Sequence, residues 1–183
     1  MTQKLQKNFF SRDAKTVAKE LLGKILVRKI NGKKFKTKIV ETEAYFGKED
    51  CASRASKCTL GKNSVFEIMW GEAGRILVYN VHKYIMFCIV TGEKNKAEAI
   101  LIRALEPLDF EARLNGPGLL TNALKINKTY FGKDICSLRD LWIEDDKSIE
   151  FEIVESFRIG VKKDLPEKLR FYIRDNNFVS RKN

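Results

Sequence analysis

Only one histidine occurs in the 183 residues, and the four cysteines form no CxxC pair. Cys51, Cys58, Cys88 and Cys136 are too scattered for the close ligand spacing of a structural zinc site. No metal or other cofactor is therefore expected, and a metal-dependent hydrolase is disfavoured. Scattered thiols suit a reducing, intracellular compartment. No run of 18 apolar residues occurs, so a membrane span is not expected. The opening MTQKLQKNFFSRD has no long apolar segment, which argues against secretion. Repeats, low-complexity tracts and Pro/Gly/Ser-rich linkers are also missing. What is present is 44% apolar residues, enough for a real core. The chain reads as one soluble domain over residues 1–183, a monomer that is cytoplasmic and nucleoid-associated, or otherwise intracellular.

Charge is distributed unevenly. Residues 1–38 hold 12 Lys/Arg against 2 Asp/Glu, while the remaining 145 hold 23 against 22. So one-sided a charge fits a polyanionic partner such as nucleic acid, or else a lysine-rich solvated face.

Ser11 or Asp13 can cap a helix running to about Leu22, with Gly23 just beyond it. Residues 24–30 and 33–45 flank Asn31-Gly32, the turn chemistry of a two-residue hairpin. Residues 46–64 form a polar loop. Strands are expected at 75–81, 84–90, 99–105, 151–157 and 169–174, and short helices at 107–114 and 118–124. Strands dominate with helices at intervals, which predicts an α+β domain with a mixed or antiparallel sheet and peripheral helices.

Strand alternation sorts the candidate residues. In IVETEAY, Val40, Thr42 and Ala44 point one way, and Ile39, Glu41, Glu43 and Tyr45 the other. Two carboxylates and an aromatic share a face, either a solvated strand edge or a cleft wall with a general base beside a stacking surface. Tyr79 shares a face with Arg75 and Leu77, as a half-buried core tyrosine or an aromatic wall. Arg103, inside AILIRAL, needs a carboxylate, a phosphate or a polar cleft, because an unpaired buried guanidinium is costly. Glu106 and Glu43 are its candidate partners. His82, near a strand end, is either structural or functional. No Ser-His-Asp set, P-loop or GxGxxG motif is present. No single lysine stands out as a desolvated Schiff-base nucleophile.

IVETEAY followed by GKED (47–50), LIRALEPLD (101–109), NGPGLLTNALKI (115–126), FRIGV (157–161) and LRFYIR (169–174) together resemble the 3-methyladenine, or alkyladenine, DNA glycosylase family. The blocks follow the family's order and, with Phe9-Phe10 and Val179-Ser180, span nearly the whole chain. The resemblance implies a monofunctional, metal-free glycosylase acting on double-stranded DNA that carries alkylated bases. It makes Glu43 the water-activating base, Arg103 the cation that positions it, and Tyr45 and Tyr79 the walls of the base pocket. Three positions depart from the family pattern. His82 stands where an intercalating tyrosine is usual. Arg54, in EDCASRA, stands where a pocket histidine is usual. Cys88 or Ile89 takes the place of a pocket asparagine. These changes bear on lesion choice: release of 3-methyladenine and 7-methylguanine is expected, with hypoxanthine processed poorly. The basic N-terminal third and Arg54 are candidates for holding phosphates. The competing class is a non-catalytic nucleic-acid or lesion-binding module on the same fold, for which an acidic pair on the binding face serves no purpose.

Overall fold

A computed structural model describes residues 3–57, 64–146 and 150–181. Cys58 lies outside them. The fold is α+β, and every strand pairing is antiparallel. The chain runs β1 (Gln3–Lys4), α1 (Lys7–Phe10), α2 (Ala14–Glu20), β2 (Ile25–Ile30), β3 (Lys33–Tyr45), β4 (Ile76–Val81), β5 (Tyr84–Val90) and β6 (Ala99–Pro107). It continues with α3 (Pro117–Ala123), β7 (Leu141–Asp145), β8 (Ile153–Ser156) and β9 (Arg170–Ile173), with short 3-10 turns between elements. Sequence reasoning missed β1, α1 and β7.

The long β3 is the spine. Its first half pairs with β2 and its second half with β9, while β6 runs along the opposite edge. The β2–β3 hairpin turns on Asn31 (φ 49°) and Gly32 (φ 83°), the left-handed pair that its Asn-Gly sequence demands. Asp13 caps α2 by accepting from the Thr16 N–H at 2.9 Å. Behind the sheet, α2 closes the main core with Val17, Ala18 and Leu21, and the Thr42 hydroxyl on β3 donates to Ala18 C=O at 2.8 Å.

Two expectations are corrected. Residues 108–114 form no helix: Pro107 ends β6, Leu108 N–H bonds back to Lys36 C=O, and Leu114 C=O accepts from Leu105 N–H. These long-range bonds outcompete a local helix. Simple alternation also fails near Ile39, because the β3–β6 register shifts between Ile39 and Thr42. The resulting irregularity lets Ile39 join Val40 and Ala44 in the main core while Glu41 and Glu43 stay together on the other face.

Candidate active site

On the side of the sheet away from α2, β3, β4, β5 and β6 floor a second, smaller hydrophobic cluster. Over it opens a cavity of about 280 Å³, near the low end (~300 Å³) of small-molecule pockets and suited to a single planar base. Tyr45 and Tyr79 both line it, as do Arg54, Cys88 and Arg103. Phe66 packs edge-on against Tyr79, with centroids 5.0 Å apart, and fixes that ring.

Beneath this cavity Glu43 is fully buried. Its Oε2 accepts from the Tyr45 hydroxyl at 2.8 Å and from Arg103 Nη1 at 3.2 Å, and its Oε1 accepts from the Ile159 N–H at 2.8 Å. The carboxylate is not itself part of the cavity wall, but Tyr45, Arg103 and Ile159, which hold it, all are. Oε1 carries one hydrogen bond and keeps a lone pair for another donor. Burial pushes the Glu43 carboxyl above the ordinary value of 4.5, against the opposing pull of Arg103, the Ile159 N–H and the Tyr45 hydroxyl. Burial also pushes the Tyr45 hydroxyl well up, helped by the neighbouring Glu43. Arg103 is disfavoured by burial, yet Glu43 and Glu41 together hold it firmly protonated.

Arg103 therefore sits between two acids, Glu43 and Glu41. Its Nε lies 3.4 Å from Glu41 Oε1, an ion pair whose angle is too poor for a hydrogen bond. Of the partners proposed from sequence, Glu43 is right and Glu106 is not: Glu106 bonds Lys38 and Asn176 instead. Glu41 is buried and held by Arg170 Nε (2.7 Å), Ser180 N–H (2.7 Å) and Ser180 hydroxyl (3.0 Å), and neither Arg170 nor Ser180 lines the cavity. Glu41 thus anchors the C-terminal segment, which leaves Glu43 as the carboxylate against the cavity.

The remaining candidates separate clearly. Leu77 pairs with Cys88 and Ile76 with Ile89 across β4–β5. Cys88 accordingly faces the cavity beside Tyr79, while Ile89 is fully buried in the main core and does not reach it. Burial raises both the Cys88 thiol and the Tyr79 hydroxyl, so both stay protonated. Arg54 is exposed at the cavity mouth, in a short 3-10 turn (Arg54–Lys57). His82 is exposed at the tip of the tight β4–β5 turn with φ 51° and does not line the cavity.

Sequence reasoning missed Arg158, although FRIGV carries it. The guanidinium is buried, bonded to Asp50 and Asp164, and stacked 4.5 Å from the Tyr45 ring centroid. An arginine flanked by Phe157 and Ile159 was the available signal. Among the described residues, no group of three His, Cys, Asp or Glu side chains is placed to hold a metal ion, and no helix is long and apolar enough to cross a membrane.

A buried carboxylate held by an arginine beneath a cavity walled by two tyrosines is the equipment of a hydrolase acting on a planar, aromatic group. The chain matches the family model "Methylpurine-DNA glycosylase (MPG)" over residues 8–177. It is 40% identical over 189 residues to a protein of Borrelia garinii subsp. bavariensis named "Putative 3-methyladenine DNA glycosylase", covering 97% of this chain and 100% of that protein. A protein of the same name from Clostridium botulinum strain Loch Maree is 39% identical over 204 residues, covering 97% of this chain and 98% of that one. The chain belongs to the methylpurine-DNA glycosylase family.

Proposed function

We propose that this DNA glycosylase removes alkylated purines, 3-methyladenine and 7-methylguanine, from duplex DNA with a water activated by Glu43. A base in the duplex is out of reach of any such site, so the nucleotide is flipped into the cavity between Tyr45 and Tyr79. Two electron-rich ring faces attract a cationic alkylated purine beyond ordinary stacking. Water at the cavity floor, near Arg103 and Ile159, reaches the free lone pair of Glu43 Oε1. Glu43 takes its proton as the oxygen attacks C1′, and the C1′–N bond breaks with its electron pair leaving on the base. This follows the logic of inverting glycosidases with an oxocarbenium-like transition state. An already cationic base departs neutral and needs no general acid. His82, at the hairpin tip, is the candidate to fill the gap in the duplex, and Arg54, at the mouth, to hold a phosphate.

The observation that carries this reading is the placement of Glu43: fully buried, bonded by three groups that all line the cavity. Among the described residues, none that line the cavity is a lysine, which supports monofunctional hydrolysis over Schiff-base chemistry. Glu43→Gln keeps the shape and removes the proton acceptor. Base release should fall by ~10²–10⁴-fold, the usual value of positioned base catalysis, while binding to lesion-bearing duplex persists. Incubation with methylated duplex DNA and identification of the released bases is the check, and full activity of the Gln variant refutes the mechanism.

A further inference from the structure

Behind Tyr45, on the side away from the cavity, lies a polar cluster that the excision chemistry does not use. Arg158 is 5% exposed and spends all five of its N–H donors. Nε and Nη2 donate to Asp164 Oδ1 at 2.9 and 2.6 Å. Nη1 and Nη2 donate to Asp50 at 2.6 and 2.8 Å, and Nη1 also donates to Ala44 C=O at 3.0 Å. Both acids are held in turn by backbone N–H groups: Asp50 by Phe46 and Ala52, Asp164 by Arg158 and Leu165. One planar side chain thus ties the end of β3, the loop after it and the segment 158–165 into one unit.

Two contacts link that unit to the reaction. The guanidinium carbon lies 4.5 Å from the Tyr45 ring centroid and backs the stacking wall. The next residue, Ile159, gives its N–H to Glu43 Oε1 at 2.8 Å. Arg158 itself is absent from the cavity wall, so it acts only through these neighbours.

We infer that Arg158 is the positioning residue of excision, fixing Glu43 through the Ile159 N–H and the face of Tyr45 through its stacked guanidinium. The inference rests on the reading of Glu43 as the base. A lysine cannot replace it: an ammonium has three donors on a flexible stem and no planar face. The groups facing Glu43 from the surrounding elements are Arg103 on β6, Glu41 and Tyr45 on β3, and Tyr79 and Cys88 across the cavity on β4 and β5. Only the Ile159 N–H comes from the segment that Arg158 holds. That N–H favours the charged carboxylate, so loosening it raises the Glu43 pKa. Excision needs the carboxylate, so the acid limb of the rate profile then moves to higher pH.

The experiment compares wild type, Arg158→Lys, Asp164→Asn and Glu43→Gln in single-turnover release of 7-methylguanine at saturating enzyme, across pH. Melting temperature and affinity for lesion duplex are measured alongside. Arg158→Lys is expected to slow release roughly ten- to hundred-fold, the usual effect of misplacing a catalytic group by about 1 Å, with its acid limb moved to higher pH. Asp164→Asn, which leaves the Arg158–Asp50 pair in place, should shift the limb the same way by less, and it decides by the same criteria if the lysine variant does not fold. An unchanged rate and limb with Glu43→Gln inactive overturns the inference. So does a rate loss that only follows the unfolded fraction, with the limb in place, since that is a structural role. An active Glu43→Gln is a different result, which removes the base reading itself.

Discussion

Burial suits Glu43 to the role of base proposed for it. Desolvation raises its carboxyl above 4.5, which brings the group closer to the working pH and makes it a stronger base. Activity should rise with pH as the group ionises, with an acid limb above that of an ordinary glutamate. A pH profile of single-turnover excision tests this, and a limb at or below 4.5 contradicts the burial argument. The other informative residue is Cys88, whose buried thiol sits where the register of β4 and β5 points into the cavity. A thiol offers neither the bulk nor the amide of an asparagine, so on the proposed reading the exocyclic amino group of guanine should meet little resistance. Cys88→Asn should reduce 7-methylguanine release about ten-fold relative to 3-methyladenine, since an unpaired buried polar group costs ~1–3 kcal/mol. Single-turnover excision from methylated duplexes reads that ratio, and an unchanged ratio places lesion choice elsewhere.

Elements were legible where their cause is local. Asn31-Gly32 forces its own turn and Asp13 caps its own helix, so the β2–β3 hairpin and α2 could be read directly. The site was partly legible because alternation alone puts Glu43 beside Tyr45. Choosing between Cys88 and Ile89 needed the pairing of β5 with β4. The shifted register near Glu41 needed β6, and Arg158 needed Asp50, 108 positions earlier in the chain. No window of sequence contains these causes. The junction of α2 with β3 shows how such a distant contact constrains one residue. Gly23 has φ 81°, and a Cβ there would lie 2.5 Å from the Phe151 ring. Its N–H also bonds Ile39 C=O at 2.9 Å. Gly23→Ala carries the left-handed penalty of ~1–2 kcal/mol together with the ring clash, so stability should fall by roughly 2–3 kcal/mol. In a protein of this size that is a melting temperature about 4–12 °C lower. The folded fraction should excise at the wild-type rate, and a slower rate without a lower melting temperature would show that this junction reaches the site.

At the scale of the whole molecule, the uneven charge means something other than its sequence distribution suggests. Among the described residues, eight of the 12 cations in residues 1–38 form ion pairs: Lys7, Arg12, Lys15, Lys19, Lys24, Arg28, Lys36 and Lys38. Their acids come mostly from later in the chain, so much of the N-terminal excess is neutralised by folding. Of the rest, Lys29, Lys33 and Lys34 cluster as exposed side chains around the β2–β3 turn. Lys33 and Glu43 lie ten positions apart along β3, roughly 30 Å at ~3.3 Å per residue. By contrast Lys162 and Lys163 are exposed and follow Gly160, which lines the cavity, and Arg54 stands at its mouth. On the proposed reading, a duplex delivering a flipped nucleotide to Glu43 should therefore meet the second group of cations. Each lost phosphate contact lowers the slope of log affinity against log salt by ~0.9. Lys162→Glu with Lys163→Glu should weaken binding alike for all sequences and flatten the salt dependence by about two such contacts. Lys33→Glu with Lys34→Glu should leave both nearly unchanged on a short duplex centred on the lesion. Titrations of such a duplex at several salt concentrations separate the two surfaces. A larger loss from the Lys33/Lys34 pair would mean that DNA runs along β3 to the far hairpin, and that the charge read from sequence does hold the substrate.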